Sequence, residues 1–173
     1  TVSWKGDGGR TAVMVGRIAA WKGQQQVIDA MRIVAQSLPD VALVLVGDTQ
    51  FEDSVDLAVE GVTVDVTGFV SDPEQYLKSA DVVIHASQTP EPFGQVLAQA
   101  ASVGAPIVCA DRGGHTEWLE HEKTCLMIDP LDPADIAQAI INVLTNPPDA
   151  RKRAERARHR ALEFTPERAY AGL

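Results

Sequence analysis

Two cations share one short loop after the first predicted strand. The sequence VGRIAAWKG places Arg17 and Lys22 between that strand and a following helix. Such a pair beside a helix N-terminus suits a diphosphate, because backbone N–H groups and the helix dipole add to the side-chain charges. Taken alone, the pair is equally typical of solvated surface cations. The loop has neither the spacing of a P-loop nor the three-glycine dinucleotide fingerprint.

A second group of candidate residues follows the fourth strand, in SQTPEPFGQVLAQAASVGAPIV. Pro90 and Pro92 stiffen the turn around Glu91, and Gly94 allows close approach of the backbone where a helix begins. A carboxylate and free N–H groups would then point toward one spot, which predicts contacts to sugar hydroxyls and to phosphate or sugar oxygens. The alternative is a capped helix start with an incidental glutamate that the helix dipole favours.

A parallel sheet would bring these loops together. Short β-rich runs alternate with longer helical stretches, a rhythm typical of α/β proteins. The predicted strands are TAVMVG, VALVLVG, VTVDVTG, DVVIHAS, APIVCA and CLMID, and the first helical stretch, QQQVIDAMRIVAQSL, follows the first strand. The strands are continuous Val, Ile and Leu runs, which predicts helices on both faces of the sheet. In the first helix, Gln24 is expected away from the apolar face. Later helices are predicted at 94–103, 133–144, 147–163 and from 166 onward. Because ligands of such sheets bind outside the carboxyl ends of the strands, the polar turns are expected to share one rim.

Composition limits the classes of function. The 173 residues, 45% of them hydrophobic, suit one globular domain. A formal charge of -9 disfavours broad contact with nucleic acid or an anionic membrane, so an anionic ligand must meet a local cluster of cations. No apolar run is long enough for a transmembrane segment. Cys109 and Cys125 have no metal or redox spacing and are interpreted as structural, in a reducing, cytoplasmic compartment.

Histidines and the basic segment RKRAERARHR invite other interpretations. His85 on the fourth strand is more typical of a satisfied buried or rim histidine than of a catalytic base. His115 on the glycine loop is a candidate ligand contact, and no pair of histidines has metal spacing. The basic charges would spread around most of a helix, which favours a solvated helix over membrane attachment.

Seven segments together resemble the C-terminal domain of the retaining family 4 glycosyltransferases of GT-B fold. In chain order they are VGRIAAWKG, LVLVGD, VTGFVSD, YLKSADVVIHAS, PEPFGQVLAQA, GAPIVCADRGGHTEWL and DPLDPADIAQAIINVL, and they cover nearly the whole chain. The resemblance implies a Rossmann-like parallel sheet with helices on both faces over residues 11–164. Residues 1–10 are polar and glycine-rich through GDGGR, which predicts an interdomain linker; the alternative is a native start from which an initiator Met was removed. The resemblance implies that residues 165–173 are a terminal helix that packs toward an N-terminal domain.

The resemblance also implies roles for residues. Arg17 and Lys22 match a basic pair that neutralises the donor diphosphate without a metal or other cofactor, and Glu91 matches a glutamate that holds donor-sugar hydroxyls. These three are the candidate catalytic residues. Phe69 and Val70 would lie against the nucleobase. The full set of implied donor-binding residues is Gly16, Phe69, Val70, Phe93, Gly94, Gln95, Gln99, Gly113 and Gly114.

The chain departs from the family pattern at several positions. Gln99 stands where a second glutamate would bind the ribose, Ala101 replaces a methionine, and Cys125 replaces a common glycine. The implied function is transfer of a sugar from a nucleotide-diphosphate sugar with retention, with the acceptor presented by an N-terminal domain of the same enzyme. This chain alone would then be inactive. The alternatives are a non-catalytic nucleotide-sugar-binding module, which Gln99 favours, and a sugar-nucleotide epimerase domain of similar fold.

Overall fold

Six parallel strands form one sheet in a computed structural model that describes residues 9–48, 56 and 60–163. The strands follow the order β3-β2-β1-β4-β5-β6; they are β1 (Arg10–Val15), β2 (Val41–Val46), β3 (Thr63–Val66), β4 (Val82–His85), β5 (Ile107–Ala110) and β6 (Leu126–Ile128). The strand order reverses between β1 and β4, so the loops that leave these two strands diverge and open a crevice. The predicted Rossmann-like class is confirmed.

Helices cover both faces of this sheet, as the continuous apolar strands predict. They are α1 (Gln24–Ser37), α2 (Glu74–Ser79), α3 (Gln95–Ser102), α4 (Pro133–Thr145) and α5 (Pro147–Glu163). Helices α1 and α4 pack on one face through residues such as Met31 and Ile140, whereas α2 and α3 pack on the other through Leu77 and Leu97. The two cores hold the strands that carry the site.

Helix α2 is an element that sequence analysis did not predict. Its six residues are too short to establish a helical period of apolar positions. Its start is marked instead by Asp72, whose Oδ1 accepts a hydrogen bond from the N–H of Glu74 at 3.0 Å. A short polar side chain that bonds to the backbone two residues ahead favours a turn at this point, and the helix that follows buries Leu77.

Two details differ from the sequence-based expectations. Strand β3 is an edge strand of the described sheet, and its residues are mostly exposed instead of forming a buried apolar run. Gln24 is buried at the first turn of α1, where its side chain bonds to the loop that precedes the helix. The expectation that Gln24 faces away from the core is therefore wrong.

Helix α5 carries its charges around most of its surface, as predicted, but it also has a narrow buried stripe of Ala150, Ala154 and Ala157. In the described part of the chain, no helix combines the length and the apolar character that spanning a membrane requires. Most of the predicted linker, residues 1–8, and the whole predicted helix at 165–173 lie outside the described residues. Arg10 is the first residue of β1.

Candidate functional site

The loops that follow β1 and β4 are bound to each other at the carboxyl edge of the sheet. Gln88 donates its N–H to the carbonyl oxygen of Trp21 at 2.8 Å. Gly23 packs so closely on Ala86 that a Cβ at this glycine would overlap the Ala86 carbonyl oxygen. This contact requires glycine, and it brings a 3₁₀ turn, Ala20–Lys22, over the end of β4.

Glu91 lies at the centre of a cluster of hydrogen-bond donors. Its Oε1 accepts from Lys22 Nζ, and its Oε2 accepts from His85 Nε2 at 2.6 Å and from Ser87 Oγ at 3.1 Å. The Glu91 and Lys22 side chains are 20% and 22% exposed, and that of His85 is 9% exposed. Hydrogen bonds from His85 and then Lys22 outweigh the effect of burial and lower the pKa of Glu91 to about 2. Glu91 is therefore an ionised acceptor at neutral pH.

Lys22 links this cluster to the end of β1. Its Nζ lies 4.6 Å from the centroid of the Trp21 ring, within the range of a cation–π contact. A Cβ built on Gly16 would lie 3.8 Å from the same Nζ. The ammonium group is therefore next to the first residue after β1 as well as to Glu91.

Two cavities open on either side of that point. The β1–β4 cavity has a volume of about 350 Å³, and residues that line it include Lys22, Gln24, His85, Ser87, Glu91 and Gln95. The β1–β2 cavity has a volume of about 290 Å³ and is lined by Val15, Gly16, Arg17, Val46, Gly47, Asp48, Phe69 and Val70. Val15 lines both, so the two cavities are neighbours at the end of β1.

The β1–β2 cavity combines one cation with an apolar surface. Arg17 is exposed, and its guanidinium has no hydrogen bond or ion pair with any residue that the structure describes. Gln24 fixes the backbone beneath it, since its Nε2 donates to the Arg17 carbonyl oxygen at 3.0 Å. Phe69 is 77% exposed, and Val70 packs on the apolar cluster beneath the turn. The loop geometry is thus fixed while the guanidinium is available.

The loop after β5 supports the Glu91 turn from behind. Gly114 donates its N–H to the Glu91 carbonyl oxygen at 2.8 Å, and a Cβ at Gly114 would overlap the carbonyl oxygen of Pro92. Gly113 lies beside the same turn, where a Cβ would be 3.2 Å from the Glu91 carbonyl oxygen. The two glycines line neither cavity, so in this conformation they act on the site through the position of Glu91.

His115 is fully buried and does not reach either cavity. Its Nε2–H donates to the Ala110 carbonyl oxygen at 2.6 Å, and its ring packs edge-on against His85 with 5.0 Å between centroids. Burial lowers the pKa of His115, which favours the neutral ring. The structure thus places this histidine in the core behind the site, where it supports His85.

The segment that begins α3 contributes surface to the site. Gly94 adopts a φ of 75° at the start of the helix, and Phe93 stacks on Trp118 with 6.2 Å between ring centroids. Gln95 lines the β1–β4 cavity. Gln99 is exposed one turn further along α3 and lines neither cavity.

Two features of this site were not predicted from the sequence: the role of Ser87 and the partner of His85. Ser87 was not singled out, although a hydroxyl two residues beyond a buried strand, just before a proline-stiffened turn, is well placed to bond to that turn. His85 was interpreted as a satisfied histidine, but the sequence could not identify Glu91 as the group that satisfies it. Both bonds depend on the return of the turn over the end of β4, which no local pattern specifies.

The two cavities together suit an elongated ligand with an anionic centre. Arg17 lines the β1–β2 cavity together with Gly16, and Lys22 lines the β1–β4 cavity with its Nζ close to Gly16. A polar group in the β1–β4 cavity would meet the Glu91 cluster, and a planar apolar group in the β1–β2 cavity would meet Phe69 and Val70. Within such an arrangement, charge that develops at the centre of the ligand would be stabilised by the two cations.

Residues 3–160 match the protein family described as Glycosyl transferases group 1. A putative glycosyltransferase of Bacillus subtilis, YtcC, is 30% identical over 164 residues, an alignment that covers 86% of this chain and 40% of YtcC. The chain therefore spans less than half the length of this relative.

Two solved structures extend the comparison. Anabaena Alr3699/HepE in complex with UDP-glucose superposes with a TM-score of 0.80 at 29% identity, covering 90% of this chain and 44% of that one. A crystallised C-terminal domain of the group 1 protein LpcC from Francisella tularensis has a TM-score of 0.77 at 19% identity, covering 90% of this chain and 86% of that one. The second likeness shows a shared fold alone, in a domain that was crystallised separately.

Proposed function

The chain belongs to the glycosyl transferases group 1 family, and from that premise we propose that it is the donor-binding half of an enzyme that transfers a sugar from a nucleotide-diphosphate sugar with retention at the anomeric carbon. The resemblance of its motifs to family 4 supports the retaining mechanism. An N-terminal domain of the same enzyme would present the acceptor across the cleft. Because half of the cleft is then absent, this chain alone binds donor and transfers no sugar.

One observation carries the proposal: an ionised glutamate and a lysine meet in the β1–β4 cavity, next to the cavity that Arg17 lines. The sugar would occupy the β1–β4 cavity, where Glu91 accepts hydrogen bonds from its hydroxyls. The base would lie in the β1–β2 cavity against Phe69 and Val70. The diphosphate would lie between them, within reach of Arg17 and Lys22.

Catalysis in this arrangement is mainly electrostatic. Departure of the nucleoside diphosphate places negative charge on its β-phosphate oxygens, and cations that interact more strongly with that charge than with the intact donor lower the barrier. Arg17 supplies one such cation from the rim, and Lys22 a second from between the cavities. The first-turn N–H groups of α3, next to Gly94, add a fixed positive dipole.

Calorimetry on the isolated chain tests the proposal. UDP-glucose, the ligand of the HepE complex, and UDP are the first probes, followed by the GDP and ADP equivalents. Arg17→Ala should weaken binding of the nucleotide that binds best by roughly 10-fold or more, as expected for a charge-assisted contact. Arg10→Ala is the matched control, because Arg10 lies at the amino edge of the sheet and lines neither cavity.

Three results would contradict the proposal: no binding of any nucleotide, an equal loss of nucleotide affinity in the Arg17 and Arg10 variants, or sugar transfer by the chain alone.

Gln99 favours one further candidate function, a binding module that keeps the donor pocket without the chemistry. Fusion of the chain to an N-terminal domain of a group 1 relative distinguishes the two, since a binding module would still release no sugar from the donor.

A further inference from the structure

The two carboxylate oxygens of Glu91 have different partners. Oε2 accepts from two groups at the end of β4, His85 Nε2 and Ser87 Oγ. Oε1 accepts from Lys22 Nζ, on the loop after β1. His85 and Ser87 are 9% and 2% exposed, whereas Lys22 is 22% exposed and borders open cavity. One oxygen is thus held by the core of the protein and the other by a side chain at its surface.

We propose that His85 is a positioning residue for sugar recognition: with Ser87 it holds Oε2 of Glu91 in place, so that Oε1 accepts from a sugar hydroxyl when Lys22 leaves it for the diphosphate. This inference rests on the proposed function. His85 acts through Glu91 and does not itself touch the donor. The Lys22–Glu91 pair and the contacts to the donor are then alternatives, because each partner occupies the place of one part of the ligand.

The surroundings of His85 leave it one orientation. Nε2 is the ring nitrogen that bonds to Glu91, and the buried Nδ1 has no hydrogen-bond partner among the residues that the structure describes. His115 packs against the ring, and His115 is itself fixed by its bond to the Ala110 carbonyl oxygen. Because an ionised carboxylate only accepts, Nε2 must carry the proton. A bond that is short, buried and braced from behind locates Oε2 to within a narrow range.

Lys22 is free to change partners without a movement of the backbone. Its flexible four-carbon side chain already places Nζ near Gly16, at the border of the two cavities. A diphosphate at that border offers more negative charge than one carboxylate, and transfer of Lys22 to it leaves Oε1 without a donor. A partly buried carboxylate oxygen that has lost its donor is less stable, so Oε1 favours a ligand that brings a hydroxyl. Recognition of diphosphate and of sugar are thereby coupled.

A matched pair of variants tests the proposal, because the two amides differ in reach. His85→Gln can place its amide N–H₂ near the position of Nε2, whereas His85→Asn ends near the position of Nδ1 and cannot reach Oε2. The readout is the ratio of the affinities for UDP-glucose and UDP, measured by calorimetry, or for the GDP or ADP pair if the wild-type chain binds that base. His159→Asn, the same substitution at an exposed residue of α5, is the control.

We expect His85→Asn to lower the ratio by about 10-fold, and His85→Gln to recover at least half of the loss on a logarithmic scale. Ser87→Ala should lower the ratio by about threefold, since its bond is longer, and it gives a second reading if the histidine variants fold poorly. Affinity for the nucleoside diphosphate alone should change by less than threefold. His159→Asn should leave both affinities as they are.

An unchanged ratio in His85→Asn and Ser87→Ala would overturn the positioning role. This holds whether both affinities stay at the wild-type values or both fall by the same factor, since an equal fall indicates general damage to the site. Equal affinity ratios in His85→Asn and His85→Gln would also overturn it, because the bond to Oε2 would then make no difference to sugar binding. These outcomes leave the proposed function intact. Absence of binding to every nucleotide by the wild-type chain, in contrast, refutes the proposed function itself.

Discussion

The two edges of the sheet both carry an ion pair between elements, but in different settings. At the amino edge, Arg10 makes two hydrogen bonds to Asp40 at 2.7 and 2.8 Å, with side chains that are 31% and 42% exposed. At the carboxyl edge, Lys22 and Glu91 are about one-fifth exposed, and Glu91 has two further donors. The amino-edge pair needs no ligand to explain it, whereas the carboxyl-edge cluster lines the β1–β4 cavity.

Glycines show the same contrast. At Gly114 and Gly47 on the carboxyl edge, a Cβ would overlap the backbone of a neighbouring loop. At Gly104, in the turn from α3 to β5 at the amino edge, a Cβ would meet nothing within 4 Å. Glycine is favoured there only because the backbone has a φ of 76°. At Gly114 and Gly47, therefore, glycine permits loops to touch, and the contact at Gly114 helps to place Glu91.

The largest effect is expected from Gly114→Ala. The new Cβ must displace the Glu91 turn, so the free energy of unfolding should fall by about 3 kcal/mol or more. Gly104→Ala should cost only about 1 to 2 kcal/mol, the penalty of a left-handed conformation for alanine. Urea unfolding measures both. If the two variants lose equal stability, the contrast between the edges is wrong.

The second largest effect on stability is expected from loss of the carboxylate of Glu91, compared with that of Asp40. Glu91→Gln should lower the free energy of unfolding at pH 7 by about 1 to 3 kcal/mol, because it leaves Lys22 without its counter-charge in a partly buried site. Asp40→Asn should cost less, and added salt should reduce its effect further, since its pair is exposed and screened. Urea unfolding at low and high salt separates the two.

The pH dependence of that difference follows from the lowered pKa of Glu91, about 2 in the folded chain against about 4.3 in an unfolded one. Because the folded state releases the proton more readily, the stability from Glu91 is complete above about pH 5 and is lost as the pH falls toward 2. The stability gap between wild type and Glu91→Gln should therefore close over this range. A gap that stays constant down to pH 3 would contradict the bonds to His85 and Lys22.

The sequence predicts the elements better than the contacts between them. The apolar runs gave six strands and four of the five described helices, because a buried strand or an amphipathic helix has its own periodicity. Gly114 could be placed on a rim loop, but its contact with Pro92 joins loops that follow different strands. Likewise Ser87 and Glu91 are close in sequence, but only the return of the turn over β4 makes them a bonded pair. Long-range packing of this kind has no local signature.

A third effect separates the two cations of the site. Arg17→Ala and Lys22→Ala should each weaken nucleoside diphosphate binding by about 1 to 3 kcal/mol. Arg17→Ala should leave the free energy of unfolding nearly unchanged, because its guanidinium has no partner in the described part of the chain. Lys22→Ala should also reduce stability, since Glu91 loses a donor. Calorimetry and urea unfolding on the same samples check this, and equal stability of the two variants would contradict the Lys22–Glu91 bond.

The smallest effect is expected at Gln99, which stands where the resemblance implies a ribose-binding glutamate. A carboxylate could accept from both ribose hydroxyls, whereas an amide has one acceptor oxygen, so Gln99→Glu should tighten binding of a ribonucleotide sugar by roughly 0.5 to 2 kcal/mol. The low end is expected for this chain, because Gln99 is exposed and lines neither cavity. Calorimetry with the ribose ligand and its dideoxyribose analogue isolates the contact, because charge added to α3 acts on both ligands alike. The gain should vanish for the dideoxy ligand; an equal gain for both ligands would mean that residue 99 acts through its charge and does not bind the ribose.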